Sequence, residues 1–155
     1  GRLVFTAIAL VPMALFIAWH HEYVYWPVHP MTWLVFGLSL IMTALLQFFI
    51  SYALALLAFW LLEISTIVFI VYAFEYVVGG HLFPLDILPP ALANALNWTP
   101  FAYELFFPSS VFLEQATGVA LWRGLAIQFF WVLASYTFAR WLWKRGVKHY
   151  EAVGG

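Results

Sequence analysis

Long apolar runs alternate along the chain with short polar, aromatic or proline-rich segments, and this pattern predicts membrane-spanning helices. A bilayer core of roughly 30 Å needs about 20 helical residues to cross it. Four runs approach or exceed that length, at about residues 3–19, 32–58, 64–83 and 119–143. The apolar stretch from Met31 to Val78 is too long for one crossing, so we expect a reversal within residues 59–66.

The segment between the third and fourth runs fits neither a span nor an ordinary loop. Residues 77–108 combine mainly apolar side chains with five prolines. Between Asp86 and Pro100 there is room for a helix of about 12 residues, hence about 18 Å, with Asp86 as its N-terminal cap. A second short piece runs to Pro108. We therefore predict an all-α integral membrane protein with four transmembrane helices and a short extracytoplasmic re-entrant helical hairpin at about residues 86–115.

The composition agrees with a membrane protein and excludes several other classes. Hydrophobic residues make up 66% of the 155 positions and charged residues only 8%, too few to cover a soluble domain. The net charge of -1 leaves no basic face for nucleic acid. Because there is no cysteine, disulfides and thiolate metal sites are excluded.

The distribution of lysine and arginine predicts the orientation. A basic cluster at the end of the fourth run places the C-terminus in the cytoplasm: Arg140, Lys144, Arg145 and Lys148. Arg2 prefers the same side, and an even number of spans puts both ends there. The segments 20–30 and 79–118 contain no lysine or arginine and are then extracytoplasmic.

A few polar side chains lie inside the apolar runs. Gln47 and Ser51 are four residues apart on one helix face, where they either line a pathway or join helices by hydrogen bonds. Gln128 in the fourth run has the same two interpretations. Glu75 lies at the outer edge of the third run, where it contacts a cationic substrate or a gate, or reaches the headgroups.

Two further groups of residues have alternative interpretations. His20, His21 and His29 could bind a metal, but adjacent histidines on a helix point about 100° apart, so an interfacial aromatic belt is the favoured interpretation. Arg123 begins the fourth run, and we expect it either to pair with Glu114 or Glu104 or to extend to the headgroups.

Several segments resemble the permeases of bacterial type-2 ABC exporters. The sequence GGHLFPLDILPP, residues 79–90, resembles the family's G-x-x-x-P-L-x-x-x-P, and Pro100, Phe101 and Pro108 match the P-F … P that follows. The sequence AFWLLE, residues 58–63, and the C-terminal run are similar to one permease subfamily. Glu114-Gln115 departs from the family, which frequently has Leu-Gly there.

This resemblance implies a single permease domain over residues 1–155. The domain would be the C-terminal four-span part of a six-span subunit, without the N-terminal elbow helix and the first two spans. Two such subunits, identical or different, would pair around a pathway in the bacterial inner membrane, each on a cytoplasmic ATPase subunit. The hairpin would close the outer end, with gate residues Gly79, Gly80, Pro84, Pro89, Pro100, Phe101 and Pro108.

The resemblance also implies that this chain is not an enzyme. ATP and Mg would be bound by the partner ATPase, since the chain has no GxxxxGK[ST] phosphate loop. We predict no catalytic, cofactor-binding or metal-binding residues here. Glu63, in the predicted cytoplasmic turn, would contact the ATPase or remain a solvated acid. The alternatives are a non-transporting membrane scaffold subunit and, less favoured, a membrane metal-binding enzyme.

Overall fold

The computed structural model describes residues 2–82 and 85–154, and this part of the chain consists of helices and turns without a strand. The all-α prediction is therefore confirmed. The described α-helices, in chain order, are α1 (Arg2–Trp19), α2 (Pro30–Leu56), α3 (Ser65–Val78), α4 (Pro90–Leu96), α5 (Phe106–Phe112) and α6 (Gly118–Gly154).

Two helical stretches, Pro30–Phe59 and Gly118–His149, are long and apolar enough to cross a membrane. Shorter apolar helices lie at Ile8–Trp19 and Ser65–Val78. At 14 residues α3 is about 21 Å long, less than the thickness of a bilayer core. The structure therefore agrees with an all-α membrane protein, and the count of four spans stays a prediction.

The core lies mainly between α2, α6 and the short helix α5. Buried positions recur along α2 at the spacing of one helix face, at Val35, Ser39, Met42, Leu46 and Ala53. They pack against α6 residues such as Leu125 and Val132 and against Phe107 of α5. A smaller cluster holds the other end of the pair: Ala53, Leu56, Ala139 and Leu142. Contacts follow the same residue order along both helices, from Ser39–Gln128 to Tyr52–Trp143, so α2 and α6 run parallel, and this pair is the frame that positions the other elements.

The connecting segments lie at the two opposite ends of the α2–α6 pair. The loop 20–29 contacts the segment after α5, since Tyr25 donates a hydrogen bond to Glu114. At the opposite end, Trp60 stacks on His149 near the end of α6, with ring centroids 6.2 Å apart. The two segments predicted to be extracytoplasmic therefore share one end, and the 57–64 turn and the basic end of α6 share the other.

The helices and the predicted spans differ in extent. The third run was predicted to reach residue 83, but α3 ends at Val78 because Gly79-Gly80 turns the chain, with Gly80 at φ +87°. The fourth run was predicted to end at residue 143, whereas α6 extends to Gly154. Its polar, basic end still favours a helix, since no proline interrupts it. The reversal after α2 is a 3₁₀ turn at Leu57–Phe59 followed by irregular chain.

The segment predicted to be re-entrant contains two seven-residue helices, and the first is shorter than the predicted 12 residues or so. The first, α4, begins at Pro90, so the prediction that Asp86 caps it is wrong; the cap position is Pro89. Pro90 keeps the preceding residue extended, so the helix cannot begin earlier. The second, α5, continues past Pro108, where the second short piece was predicted to end. Pro108 lies in the first turn of α5, where backbone N–H groups have no intrahelical acceptor, so the missing N–H of proline is tolerated.

Candidate functional site

The side-chain amide of Gln128 lies at the centre of a buried polar cluster. Gln128 and Ser39 are both 0% exposed. The Ser39 hydroxyl donates to Gln128 Oε1 over 3.0 Å. Gln128 Nε2 in turn lies 3.1 Å from the Ser39 carbonyl oxygen, 3.1 Å from Thr43 Oγ1 and 3.0 Å from the Tyr103 carbonyl oxygen. One amide therefore joins α6, α2 and the hairpin.

Thr43 completes this cluster, because its hydroxyl also donates to the Tyr103 carbonyl oxygen over 3.1 Å. The Tyr103 hydroxyl donates to the carbonyl oxygen of Asn97, which follows α4. The chain from α4 to α5 is thus fixed to the α2–α6 pair through its backbone. Buried polar groups in a membrane domain need such partners, since lipid offers none.

A second polar contact joins α2 to α3. Gln47 Nε2 donates to Glu75 Oε1 over 3.0 Å, and the Ser51 and Tyr72 hydroxyls lie 3.2 Å apart. Gln47, Ser51 and Glu75, predicted as pathway or interhelical residues, are thus brought together at the α2–α3 interface. Whether they also line a pathway stays a prediction.

Glu104 lies in the hairpin against Glu75. The two carboxyl groups are nearly fully enclosed, with Glu75 6% and Glu104 8% exposed. Desolvation by burial, followed by the hydrogen bond and the charge of Glu75, raises the pKa of the Glu104 carboxyl. This acid pair connects α3 to the hairpin.

The carboxylate of Glu114 holds the hairpin exit against the start of α2. Its Oε2 accepts a hydrogen bond of 2.6 Å from the Tyr25 hydroxyl. Its Oε1 accepts from the Thr32 hydroxyl over 2.7 Å and from the His29 backbone N–H over 3.2 Å. Of these, the Tyr25 bond contributes most to lowering the pKa of Glu114 to about 2. The negative charge also lies where the N-terminal dipole of α2 favours it.

We expect Glu114→Gln to lower the thermal midpoint of the purified protein at neutral pH, since an amide cannot accept the three bonds equally well. A lowered pKa stabilises the fold above the ordinary value of 4.5, and the gain is lost as the pH falls toward about 2. The gap between wild type and variant should therefore close on acidification through that window. Glu22→Gln, in the same loop 20–29 and exposed, is the control. A difference in thermal midpoint that stays constant with pH would contradict this role of the Glu114 carboxylate.

Arg123 does not pair with Glu114 or Glu104 among the described residues, so the predicted ion pair is wrong. Its guanidinium lies 5.6 Å from the ring centroid of Trp98, a cation–π contact. Glu114 is turned the other way, toward Tyr25 and α2. Arg123 and Trp98 border a cavity of about 600 Å³, together with Asn94, Asn97, Tyr103, Ser110 and Gln115 among others.

The described residues among the predicted gate residues lie in the turns around α4 or in α5. Gly79 and Gly80 end α3, and a Cβ on Gly79 would lie 2.7 Å from the Glu75 carbonyl oxygen. Pro89 precedes α4, Pro100 precedes a 3₁₀ turn at Phe101–Tyr103, and Pro108 is buried in α5. The Phe101 ring meets Phe74 of α3 edge-on at 5.6 Å. Pro84 lies outside the described residues.

The opposite end of the frame has its own features. The Glu63 carboxylate is exposed and accepts a 2.7 Å hydrogen bond from the Ser65 hydroxyl at the start of α3. Gly146 allows α6 to approach the 57–64 turn closely, since a Cβ there would overlap the ring of Phe59. A cavity of about 720 Å³ lies beside this contact, lined by aromatic and basic residues including Trp60, Trp141, Arg145, Lys148 and His149.

The three histidines considered for a metal site have separate surroundings. His20 stacks on Phe16, with centroids 4.5 Å apart, and its Nδ1 lies 3.3 Å from the Phe16 carbonyl oxygen. The His29 backbone contacts Glu114, and the exposed His21 opens a 3₁₀ turn. Within residues 2–82 and 85–154, no group of three or more potential ligands could hold a metal ion.

A comparison with known protein families identifies the family of the chain. The model of the ABC-2 family transporter protein matches residues 3–154. This chain belongs to the ABC-2 transporter family. The ABC-2 assignment makes it a membrane component of a transporter rather than an enzyme, as the sequence resemblance predicted. No curated protein and no solved structure matches this ABC-2 chain.

Sequence reasoning missed part of this ABC-2 protein's polar cluster. Ser39 and Thr43 precede Gln47 and Ser51 at intervals of four, so the four residues form one polar stripe along α2. That spacing could have revealed them. Nothing in the sequence, in contrast, pointed to the Tyr103 carbonyl oxygen as their common partner.

Proposed function

We propose that this chain is the transmembrane permease subunit of an ATP-driven exporter and forms half of the translocation pathway. The observation that carries the proposal is the ABC-2 family match over nearly the whole chain. The pathway would lie between two permease subunits in a bacterial inner membrane. A separate ABC ATPase would bind ATP and Mg on the cytoplasmic side.

The geometry supports this division of labour between the two ends. One end carries the hairpin, anchored by Gln128 and Glu114, where it would close the outer mouth of the pathway. The other carries Glu63 and the basic end of α6, where the ATPase would dock. The rigid α2–α6 pair connects them, so movement at one end can be transmitted to the other.

Alternating access requires states that bind nucleotide-loaded ATPase differently. ATP binding by the partner would favour one arrangement of the permease pair, and hydrolysis would release it. The chain would then act by changing shape, and its buried polar contacts would set which parts move together.

The proposal is tested by purifying this chain with the ATPase encoded beside it and measuring hydrolysis. We expect no activity from the chain alone and activity in the complex that depends on this subunit. Glu63→Lys should reduce the subunit-dependent activity, because it reverses the charge at the proposed contact. The control Glu22→Lys, at the opposite end, should leave the activity unchanged.

Two outcomes would contradict the proposal. Hydrolysis by the chain alone would make it an enzyme. Isolation of a stable native complex without any nucleotide-binding partner would favour the scaffold alternative.

A further inference from the structure

Glu75 and Glu104 form an enclosed acid pair where α3 meets the hairpin. Glu75 lies in the last turn of α3, and Glu104 directly follows the 3₁₀ turn Phe101–Tyr103. Next to the two acids in the sequence, the rings of Phe74 and Phe101 pack edge-on and join α3 to the hairpin. Both carboxyl side chains are more than nine-tenths buried.

Among the described residues, one of the four carboxyl oxygens accepts a hydrogen bond from a group outside the acid pair. Gln47 donates to Glu75 Oε1, whereas Glu75 Oε2 and both oxygens of Glu104 have no hydrogen-bond partner within the part of the chain that the structure describes. Glu104 nevertheless lies within hydrogen-bonding reach of Glu75. Two ionised carboxylates can only accept hydrogen bonds, so they cannot bond to each other. The missing component is a donor between them.

The neighbouring groups within residues 2–82 and 85–154 do not supply that donor or a balancing positive charge. On α3, the Tyr72 hydroxyl is paired with Ser51 and Tyr76 stacks on His81. In the hairpin, the Tyr103 hydroxyl donates a hydrogen bond to the Asn97 carbonyl oxygen. On α6, the guanidinium of Arg123 lies over the Trp98 ring. Two buried charges without a counterion would each cost several kcal/mol.

We propose that Glu75 and Glu104 together bind one proton. The proton, taken from water, converts one carboxylate to a carboxylic acid whose O–H donates to the other carboxylate. The pair then carries one negative charge, and the Gln47 amide stabilises it. This is the arrangement that two carboxyl groups adopt when they share an enclosed site.

The shared proton acts as a bond between α3 and the hairpin. Its loss leaves two facing carboxylates that repel each other, so deprotonation favours separation of the hairpin from α3. The proton site stands on the geometry of the pair and does not depend on the proposed ATPase or on the direction of transport. Its test and that of the proposed function therefore fail independently.

The direct test is infrared spectroscopy of the full purified chain in lipid nanodiscs at neutral pH. A protonated carboxyl group absorbs separately from ionised carboxylates and shifts on exchange into heavy water. We expect this band in the wild type and in Glu22→Gln, and we expect it to be absent from Glu75→Gln/Glu104→Gln. Absence from the wild type, or persistence in the double variant, would overturn the proposal.

The thermal midpoint gives a second, independent readout. Because burial raises the pKa of Glu104, the folded state holds a proton that the unfolded state has lost above about pH 4.5. The wild-type midpoint should therefore fall as the pH rises above that value, and the double amide variant should show a weaker decline. A midpoint that rises instead with added sodium or an organic ammonium ion, without the infrared band, would show that a cation occupies the site and would refute a shared proton.

Discussion

Gly124→Ala is expected to destabilise the protein by about 2 kcal/mol, within the range typical of an overpacked core. Gly124 lies in α6 where Phe107 of α5 crosses it, and a Cβ there would overlap the Phe107 ring. Phe107 is itself buried and cannot swing away without leaving a void. The measurement is thermal or denaturant unfolding of the chain in detergent, compared with wild type.

Gly37→Ala provides a matched control. Gly37 lies inside α2, and apart from the local helix backbone no described atom lies within 4 Å of a Cβ built there. Alanine should therefore be neutral or stabilise by up to about 1 kcal/mol through helix propensity. Equal effects at Gly37 and Gly124 would show that backbone flexibility, not the contact with Phe107, sets the outcome.

A double-mutant cycle isolates the contact itself. In a Phe107→Ala background the ring is gone, so Gly124→Ala should cost little or nothing further. The coupling between the two sites should then be about as large as the single effect of Gly124→Ala. Additive effects would mean that α5 does not pack on α6 at this glycine.

The sequence predicted the presence of the helices better than their exact bounds and contacts. The apolar runs located α2 and α6 and the turn after Leu57, because lipid permits only long helices there. The prolines at 89, 90, 100 and 108 located the hairpin. The bounds of its helices were wrong, because local capping rules pointed to Asp86 while Pro90 determined the first helical residue.

The partners of the charged side chains were the hardest part to predict. Glu114 was considered as a partner of Arg123, since opposite charges close in sequence are an economical pair. The structure instead gives Glu114 three neutral donors near α2 and places Arg123 over an aromatic ring. Contacts across some 85 residues depend on how helices pack, which neither periodicity nor charge counts specify.

The same limit applied to Glu75 and Glu104. Glu75 was singled out because a carboxylate at its depth is costly. Glu104 was considered only as a partner of Arg123, because two 3₁₀ turns and α4 separate it from Glu75 in the sequence. A buried acid in one predicted helix is thus a reason to search the adjoining re-entrant segment for a second acid or a donor.

Gln128→Leu is expected to destabilise the chain by about 2 kcal/mol and to loosen the hairpin. Leucine has a similar size, so packing is largely kept while the amide contacts to Ser39, Thr43 and the Tyr103 carbonyl oxygen are lost. Each interhelical hydrogen bond in a membrane is worth roughly 0.6 kcal/mol. The amide forms three such bonds, one accepted by Oε1 and two donated by the two hydrogens of Nε2, and together they give about 2 kcal/mol. The measurement combines unfolding in detergent with hydrogen exchange of the hairpin amides.

The exchange pattern distinguishes an anchor from a general loss of stability. Thr43 still donates to the Tyr103 carbonyl oxygen in the variant, so residues 101–112 should open more often without the α2–α6 pair separating. Gln115→Leu makes the same chemical change at an exposed loop position and should leave both readouts near wild type. If Gln128→Leu instead accelerated exchange evenly along α2 and α6, the amide would serve helix pairing alone. The hairpin would then be held by the contact of Phe107 with Gly124 and by the acid pair.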